Sequence, residues 1–479
     1  MNGADGIVVV GAGMAATRLV EGLVRRGIGP VTVLGREPDA PYNRILLSAL
    51  LEGTHREDAL ALRPASWWAS HDVELRTDAR VEALDRERHE VRLADGTVVP
   101  YRTLVLASGS IPVLPPVRGV VGEDGALHPA VHAFRTLADV RRLEAALAPG
   151  DVRRAVVVGG GLLGLQVARA LTVRGLVVEV VEGAEHLMRS QLGERGGAVL
   201  ARDLERRGTH SYTGARAVRV TETSEGTGLV LDNGYTLSTD LVVLSAGARP
   251  ATGLAQRAGL AVGRGVVVDE TLTTSDADVH AIGDCAEHAG RTTGFVAPAW
   301  EQAETLAAHL AGASARYTGT RTVARLRATD LDVAVLGEPR EAAAEPGAQV
   351  VEMTNPVTCS HRRLVVQGGA VVAAELVGDL SRIGLITQHF DRRTVLGPLE
   401  PGALLSADRP SSGSAASVTS MPDEAEVCTC AGVSAGAIRA CSSLEQARDS
   451  TRAGTGCGGC APVVRQLLAT RPSTQGARS

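Results

Sequence analysis

Apolar residues along the chain fall into short unbroken runs that alternate with segments of helical period. Ile7 to Val10 is one such run. It is followed by Gly11-Ala12-Gly13-Met14-Ala15-Ala16, a helix-like stretch from Thr17 to Arg26, and a second strand from Val31 to Leu34. Ala155 to Val158 repeats the plan, with Gly159-Gly160-Gly161-Leu162-Leu163-Gly164, a helix-like stretch to Arg174 and a strand from Val177 to Val181. A strand, a glycine turn, a helix and a second strand make a βαβ unit, and this plan occurs twice, about 150 residues apart.

Further short strands follow each unit. Leu104-Val105-Leu106 leads into Ala107-Ser108-Gly109-Ser110, and Leu241 to Leu244 leads into Ser245-Ala246-Gly247-Ala248. Residues 265–283 read as a strand and turn ending at Gly283-Asp284, with a helix at Trp300 to Ala311. The alternation at Leu364 to Val366 and Val371 to Val377 predicts an antiparallel meander, then a helix near Ile383 to Phe390. Residues 401–424 lose periodicity and fill with Ser, Ala and Pro, which predicts a flexible linker. Val427 to about Ala469 reads as a separate module.

Composition narrows the function classes. With 49 basic and 54 acidic side chains the net charge is −5, and no basic block stands out, which argues against a nucleic-acid-binding face. The chain has no lysine, so Schiff-base chemistry and a P-loop lysine are excluded. No apolar run reaches the ~18 residues of a membrane span, and the N-terminus reads as a first strand rather than a secretory signal. The 7 cysteines form no disulfide framework; five of them crowd into the tail, and a cytoplasmic protein is expected.

The two glycine segments carry the first chemistry. Gly11 and Gly13, with Ala16 in the third place, allow a tight turn, close approach of a pyrophosphate and helix–strand packing; the diphosphate would rest on the helix N-terminus. Glu37 is the candidate ribose partner, later than the simplest fingerprint places it. The second motif is complete in Gly159, Gly161 and Gly164, and Glu182 ends its second strand. A carboxylate there accepts from both ribose hydroxyls and repels a 2′-phosphate, and VVEGAEH offers no adjacent Arg to receive one, so NADH is expected over NADPH. The predicted fold is α/β: two Rossmann-like dinucleotide-binding domains (1–150 and 151–265), a segment at 266–318 that the resemblance given next assigns to the first of them, an α+β domain at 319–400, a linker at 401–426 and a small helical module at 427–470.

The two motifs, the LVLASGS and LVVLSAGARP segments, and VHAIGDCAE at 279–287 resemble the two-dinucleotide-binding-domain flavoproteins of the pyridine nucleotide-disulfide oxidoreductase type. Pro41-Tyr42-Asn43-Arg44-Ile45-Leu46-Leu47-Ser48 resembles a segment of its ferredoxin reductase and nitrite reductase branches. The resemblance spans residues 5–395. It implies that the first motif, with Glu37, Ser108 and Gly109, holds FAD, that Asp284 bonds the FAD and that Arg44 lies near its diphosphate. The second motif, with Glu182 and Gly247, is implied to hold NADH. The chain departs from many relatives at Ala49, where they carry Lys, and at Gln166, where they carry Glu. No Cys lies in residues 40–50 and no C-x-x-C in the second dinucleotide segment, so disulfide chemistry is not expected and electrons must leave a flavin by another route.

The tail offers one. Cys428-Thr429-Cys430 and Cys457-Gly458-Gly459-Cys460 form C-x-C and C-x-x-C pairs separated by 26 residues. In an extended C-x-C both thiols point to one side, and Pro462 suits the first turn of a following helix, whose N-terminus offsets thiolate charge. Four thiolates suit a [2Fe–2S] centre; a tetrahedral zinc site uses the same ligands but more often takes two pairs spaced by two to four residues. The tract VCTCAGVSAGAIRACSS with STRAGTGCGGCAPVV resembles the bacterioferritin-associated-ferredoxin-like [2Fe–2S] domain, which implies the cluster on Cys428, Cys430, Cys457 and Cys460. Cys441, Cys285 and Cys359 read as buried small hydrophobes, and Trp67-Trp68 as packing.

Together the resemblances imply an NADH-dependent FAD and [2Fe–2S] reductase of the kind that serves assimilatory nitrite and nitrate reductases. It would pass electrons to a catalytic subunit, with no acid–base residue named as catalytic because the cofactors carry the chemistry. A reductase feeding an oxygenase or cytochrome, the FAD subunit of an opine or amino-acid dehydrogenase, and a non-enzymatic iron- or redox-sensing module are the alternatives.

Overall fold

The computed structural model describes residues 6–224, 226–398, 400–406, 421–428, 432–451, 453–454 and 460–469. It divides into two units, residues 1–407 and 408–479.

In the first unit Ile7–Val10 is the centre of a five-stranded parallel sheet, in the order 279–281, 103–106, 7–10, 31–34, 73–76. All four residues of Ile7–Val10 are buried, as are those of Thr103–Leu106. Each valine withdrawn from water contributes about 1.5–3 kcal/mol, which is why apolar residues dominate these runs. The second parallel sheet runs 209–213, 177–182, 154–158, 241–244, 131–133. A three-stranded antiparallel meander accompanies each sheet, at 81–100 and at 217–239.

The helices after the glycine turns span Met14–Arg25 and Leu162–Val173, so the first begins three residues before the sequence reading placed it. The helix starts where the glycine turn ends, and a run of small and apolar residues hides that start. The divisions also differ from the sequence reading. Val131–Ala133, expected in the first domain, pairs in parallel with Val242–Leu244 of the second sheet. A three-residue strand containing a histidine has no periodicity to read. Ser110–Pro112 and Ala248–Pro250 pair as a short antiparallel ribbon, and Ala255 and Leu260 pack in the first core, so the chain rejoins that domain before residue 266.

Residues 323–377 form a five-stranded antiparallel sheet in the order 323–328, 331–336, 370–377, 360–367, 349–355. Helix Ile383–Arg392 packs on it. Fully buried Glu375 joins this sheet to the second dinucleotide domain. It accepts from Arg363 Nη1 at 2.8 Å and from Gly193 N, at the start of helix Glu194–Arg206, at 2.9 Å. Glu400–Leu405 is helical, with Leu404 and Leu405 buried, so the stretch read as linker from 401 opens with a packed helix. Two leucines in a short turn supply too little period to announce it. Residues 407–420 of that stretch lie outside the described residues.

The second unit contains a ribbon of Glu426–Cys428 with Val433–Ser434 and helices Ala435–Arg439, Leu444–Thr451 and Ala461–Ala469. Its core includes Cys428, Ile438, Cys441, Cys460, Val464 and Leu467.

Candidate functional site

At the first glycine turn Gly11 has φ of 114°, and a Cβ there would clash with the carbonyl oxygen of Ala107. The ends of the two central strands therefore meet with no side chain between them. Gly13 is the N-cap of helix Met14–Arg25, with no side-chain cap, and a Cβ built on it meets nothing within 4 Å. This is an open cradle at a helix N-terminus, where unpaired N–H groups and the helix dipole favour an anion. Ala16 is fully buried under the turn.

Glu37 lies beyond the end of the second strand. It pairs with Arg44 and accepts from Tyr42 Oη at 2.6 Å. The Arg44 guanidinium lies over the Tyr42 ring at 4.9 Å. Burial raises the Glu37 carboxyl, but the charge and hydrogen bond of Arg44, the Tyr42 hydroxyl and Arg36 outweigh it and hold the carboxyl below its ordinary range. Arg44 Nη1 also donates to Arg135 O at 3.4 Å, and Arg135 Nη2 donates to Asp284 Oδ2 at 3.2 Å. Ser110 Oγ donates to the same oxygen at 2.8 Å. Asp284 sits in the turn Gly283–Cys285, where Gly283 has φ of 76° and its Cβ position lies 3.0 Å from Ala15 Cβ. Glu37, Arg44 and Asp284 thus join one polar chain beside the glycine turn. Ser108 Oγ instead donates to Ala251 O at 2.9 Å, and Gly109 follows it with φ of 69°.

Arg135 and Ser110 were not singled out from the sequence. Both lie on segments that bear no motif, and an arginine inside the half-apolar run VHAFRTL is the one signal that could have marked the first.

The second turn repeats the geometry. Gly159 has φ of 120° against Ser245 O, Gly164 leaves no room for a Cβ against Gly159 O, and the space at Gly161 is open. The Glu182 carboxylate accepts from Gly160 N and from Ala184 N, both at 2.7 Å. Each oxygen keeps a further lone pair for a ribose hydroxyl. Gly247, with φ of 96°, opens the turn after strand 241–244. Gln166 is half-buried in helix Leu162–Val173, and Ala49 is half-buried in helix Leu47–Glu52. The sequence offers no Arg beside Glu182, but the fold supplies one: the Arg216 side chain lies over Gly183, 3.1 Å from the position of a Cβ. Its place after a different strand is why spacing alone missed it.

In the small unit Cys428 and Cys460 are buried in one cluster, and Cys430 and Cys457 lie outside the described residues. Val464 N donates to Cys460 O at 2.8 Å, which puts Cys460 at the N-terminus of helix Ala461–Ala469. That is a favourable place for thiolate charge. Cys441 Sγ turns to Ala437 O at 3.3 Å and Ser450 Oγ at 3.4 Å. Cys285 is fully buried, and burial pushes its thiol up. Cys359 is also buried, and Trp67 and Trp68 pack edge to face at 5.1 Å.

The family described as pyridine nucleotide-disulphide oxidoreductase matches residues 5–306, and the BFD-like [2Fe-2S] binding domain matches residues 426–470. The chain is 31% identical to a nitrite reductase [NAD(P)H] of Bacillus subtilis, over 96% of this chain and 57% of that protein. It is 29% identical to the assimilatory nitrate reductase electron transfer subunit of the same organism, over 96% of this chain and 59% of that protein. The chain spans about half the length of the curated relatives it matches. Among solved structures, the putidaredoxin reductase–putidaredoxin complex is similar with a TM-score of 0.74 and 26% identity, covering 85% of this chain and 97% of that one.

Proposed function

The chain belongs to the pyridine nucleotide-disulphide oxidoreductase family, and from that premise we propose that it is an NADH-dependent FAD and [2Fe–2S] electron-transfer reductase. Its partner in this reading is the catalytic subunit of an assimilatory nitrate or nitrite reductase. The observation that carries the reading is the union, in one chain, of two open glycine cradles on parallel sheets with a [2Fe-2S]-binding domain. The absence of any cysteine from residues 40–50 agrees with an exit other than a disulfide.

Each group has a task in this reading. The turn at Gly11, Gly13 and Ala16 receives the FAD diphosphate, with Glu37 at the adenosine ribose and Arg44 near the phosphates. Asp284, oriented by Ser110 and Arg135, accepts from the flavin side chain, and Ser108 and Gly109 shape the backbone beside it. Gly159, Gly161 and Gly164 receive the NADH diphosphate, Glu182 its adenosine ribose, and Gly247 the space toward the nicotinamide. Cys428, Cys430, Cys457 and Cys460 hold the cluster. When bound, FAD takes a hydride and releases electrons singly, and a [2Fe–2S] centre carries single electrons. Such a reductase meets NADH in the cytoplasm, and among the described residues no helix is long and apolar enough to cross a membrane.

Anaerobically purified protein should be yellow, release FAD on acid treatment, bleach with NADH and reduce a partner. Release of FMN, or no flavin after reconstitution, would overturn the FAD assignment. The likeness to the ferredoxin reductases of an anthranilate 1,2-dioxygenase system and of the CYP199A2 system favours a second reading, a component feeding an oxygenase or cytochrome. Copurification of the partner from the native host separates the two. Bleaching by NADH excludes an amine-driven dehydrogenase subunit, and turnover with ferricyanide excludes a purely sensing module.

A further inference from the structure

The turn that carries Glu182 is built against a second strand end. Strand 209–213 runs parallel to strand 177–182 with Thr213 opposite Glu182. Beyond it the chain folds onto the same turn: Gly214 N donates to Ala184 O at 2.7 Å, and Ala215 N to Glu182 O at 3.3 Å. Arg216 comes next, its backbone fixed by Asp232, whose Oδ1 accepts from Arg216 N at 3.0 Å and whose N donates to Arg216 O at 2.8 Å. The arginine side chain then lies across Gly183, with Cγ at 3.1 Å and Nε at 3.3 Å from where a Cβ would stand. A larger residue at 183 would displace it. Arg216 is exposed, and its guanidinium forms no ion pair among the described residues.

We infer that Arg216 is a specificity-determining residue that receives the 2′-phosphate of NADPH beside Glu182, so that the protein prefers NADH yet accepts NADPH as a second donor. The inference rests on the reading of Glu182 as the ribose-binding carboxylate of the nicotinamide site. Glu182 opposes a 2′-phosphate by charge. A guanidinium on the neighbouring strand end meets that phosphate with a planar fork of donors and offsets part of the repulsion. The attraction is solvent-exposed and is screened by salt.

The test compares 2′,5′-ADP with 5′-AMP as binding probes on the FAD-loaded, full-length protein, alongside kcat/KM for NADPH and NADH. Arg216→Ala should lower the ratio of 2′,5′-ADP to 5′-AMP affinity about two- to fivefold, and the NADPH-to-NADH ratio of kcat/KM with it. Arg216→Lys should restore part of both ratios. Raising the salt should lower the wild-type ratio more than that of Arg216→Ala. Unchanged ratios in Arg216→Ala, or loss of both probes in parallel, would overturn the inference while leaving the nicotinamide site in place. Failure of the wild type to bind 5′-AMP and to bleach with NADH would instead overturn the reading of the site itself, and this inference with it.

Discussion

Glu182 accepts a hydrogen bond from Gly160 N at 2.7 Å, so the carboxylate at one strand end is fixed to the glycine turn that follows its neighbour. Its second oxygen is held by Ala184 N, which fixes the carboxylate's orientation. Hydrogen bonds to a charged group are worth about 1.5–3 kcal/mol each, or roughly ten- to hundredfold in binding. Glu182→Arg should therefore lower kcat/KM for NADH by about that factor and narrow the ratio of NADH to NADPH. Steady-state kinetics with both nucleotides checks this, and an initial preference of the wild type for NADPH would contradict the assignment of Glu182.

Two glycines in one turn should fail in different ways. A Cβ at Gly164 has no room against Gly159 O, and that oxygen is backbone and cannot move aside cheaply. Gly164→Ala should destabilise the second domain by about 1–3 kcal/mol or more through overpacking. A Cβ at Gly161 meets nothing, so Gly161→Ala should fold normally and lose NADH affinity, because the methyl occupies the space of the diphosphate. Thermal unfolding and NADH titration of the two variants distinguish them. Equal melting temperatures would refute the packing argument.

Both glycine turns were legible because a turn between a strand and a helix leaves few residue types free, and the glycines at 11 and 159 have φ of 114° and 120°. Glu182 is legible because it ends a valine-rich strand. Arg135 and Arg216 were not, because each reaches its place through a strand pairing distant in sequence, with Val131–Ala133 on one sheet edge and Thr209–Thr213 on the other. The helix at Glu400–Leu405 escaped for a different reason. It is held from outside, by Arg362 Nη1 donating to Leu405 O at 2.5 Å, and a tertiary contact of that kind leaves no local period.

Buried His280 should make stability depend on mildly acid pH. It lies on strand Val279–Ala281, 4% exposed, and burial together with the neighbouring His309 lowers its pKa from 6.5 to about 4. The unfolded chain takes up a proton near pH 6.5 and the folded one resists until about pH 4, so stability falls as pH drops across that window. The full loss is roughly 3 kcal/mol. Denaturation of the FAD-loaded protein at pH 7 and pH 4.5 should show it, and His280→Val should flatten the difference. Identical pH slopes for the two proteins would show that His280 is not the source.

The last prediction separates the two redox centres. The first unit, residues 1–407, has its own cores around both glycine turns. Truncation near Ser412 should therefore leave a protein that binds FAD, bleaches with NADH and reduces ferricyanide, which can take electrons directly from flavin. The same protein should lose transfer to its partner. Cys457→Ser should do likewise in the full-length chain, because a serine hydroxyl is a poor substitute for a thiolate ligand. Iron and sulfide analysis of the anaerobic full-length protein should give about two of each per chain. The distinguishing measurement is partner reduction: if the truncated form retains it, or if zinc occupies the four cysteines, the module lies outside the electron path and serves as a structural or sensing appendage.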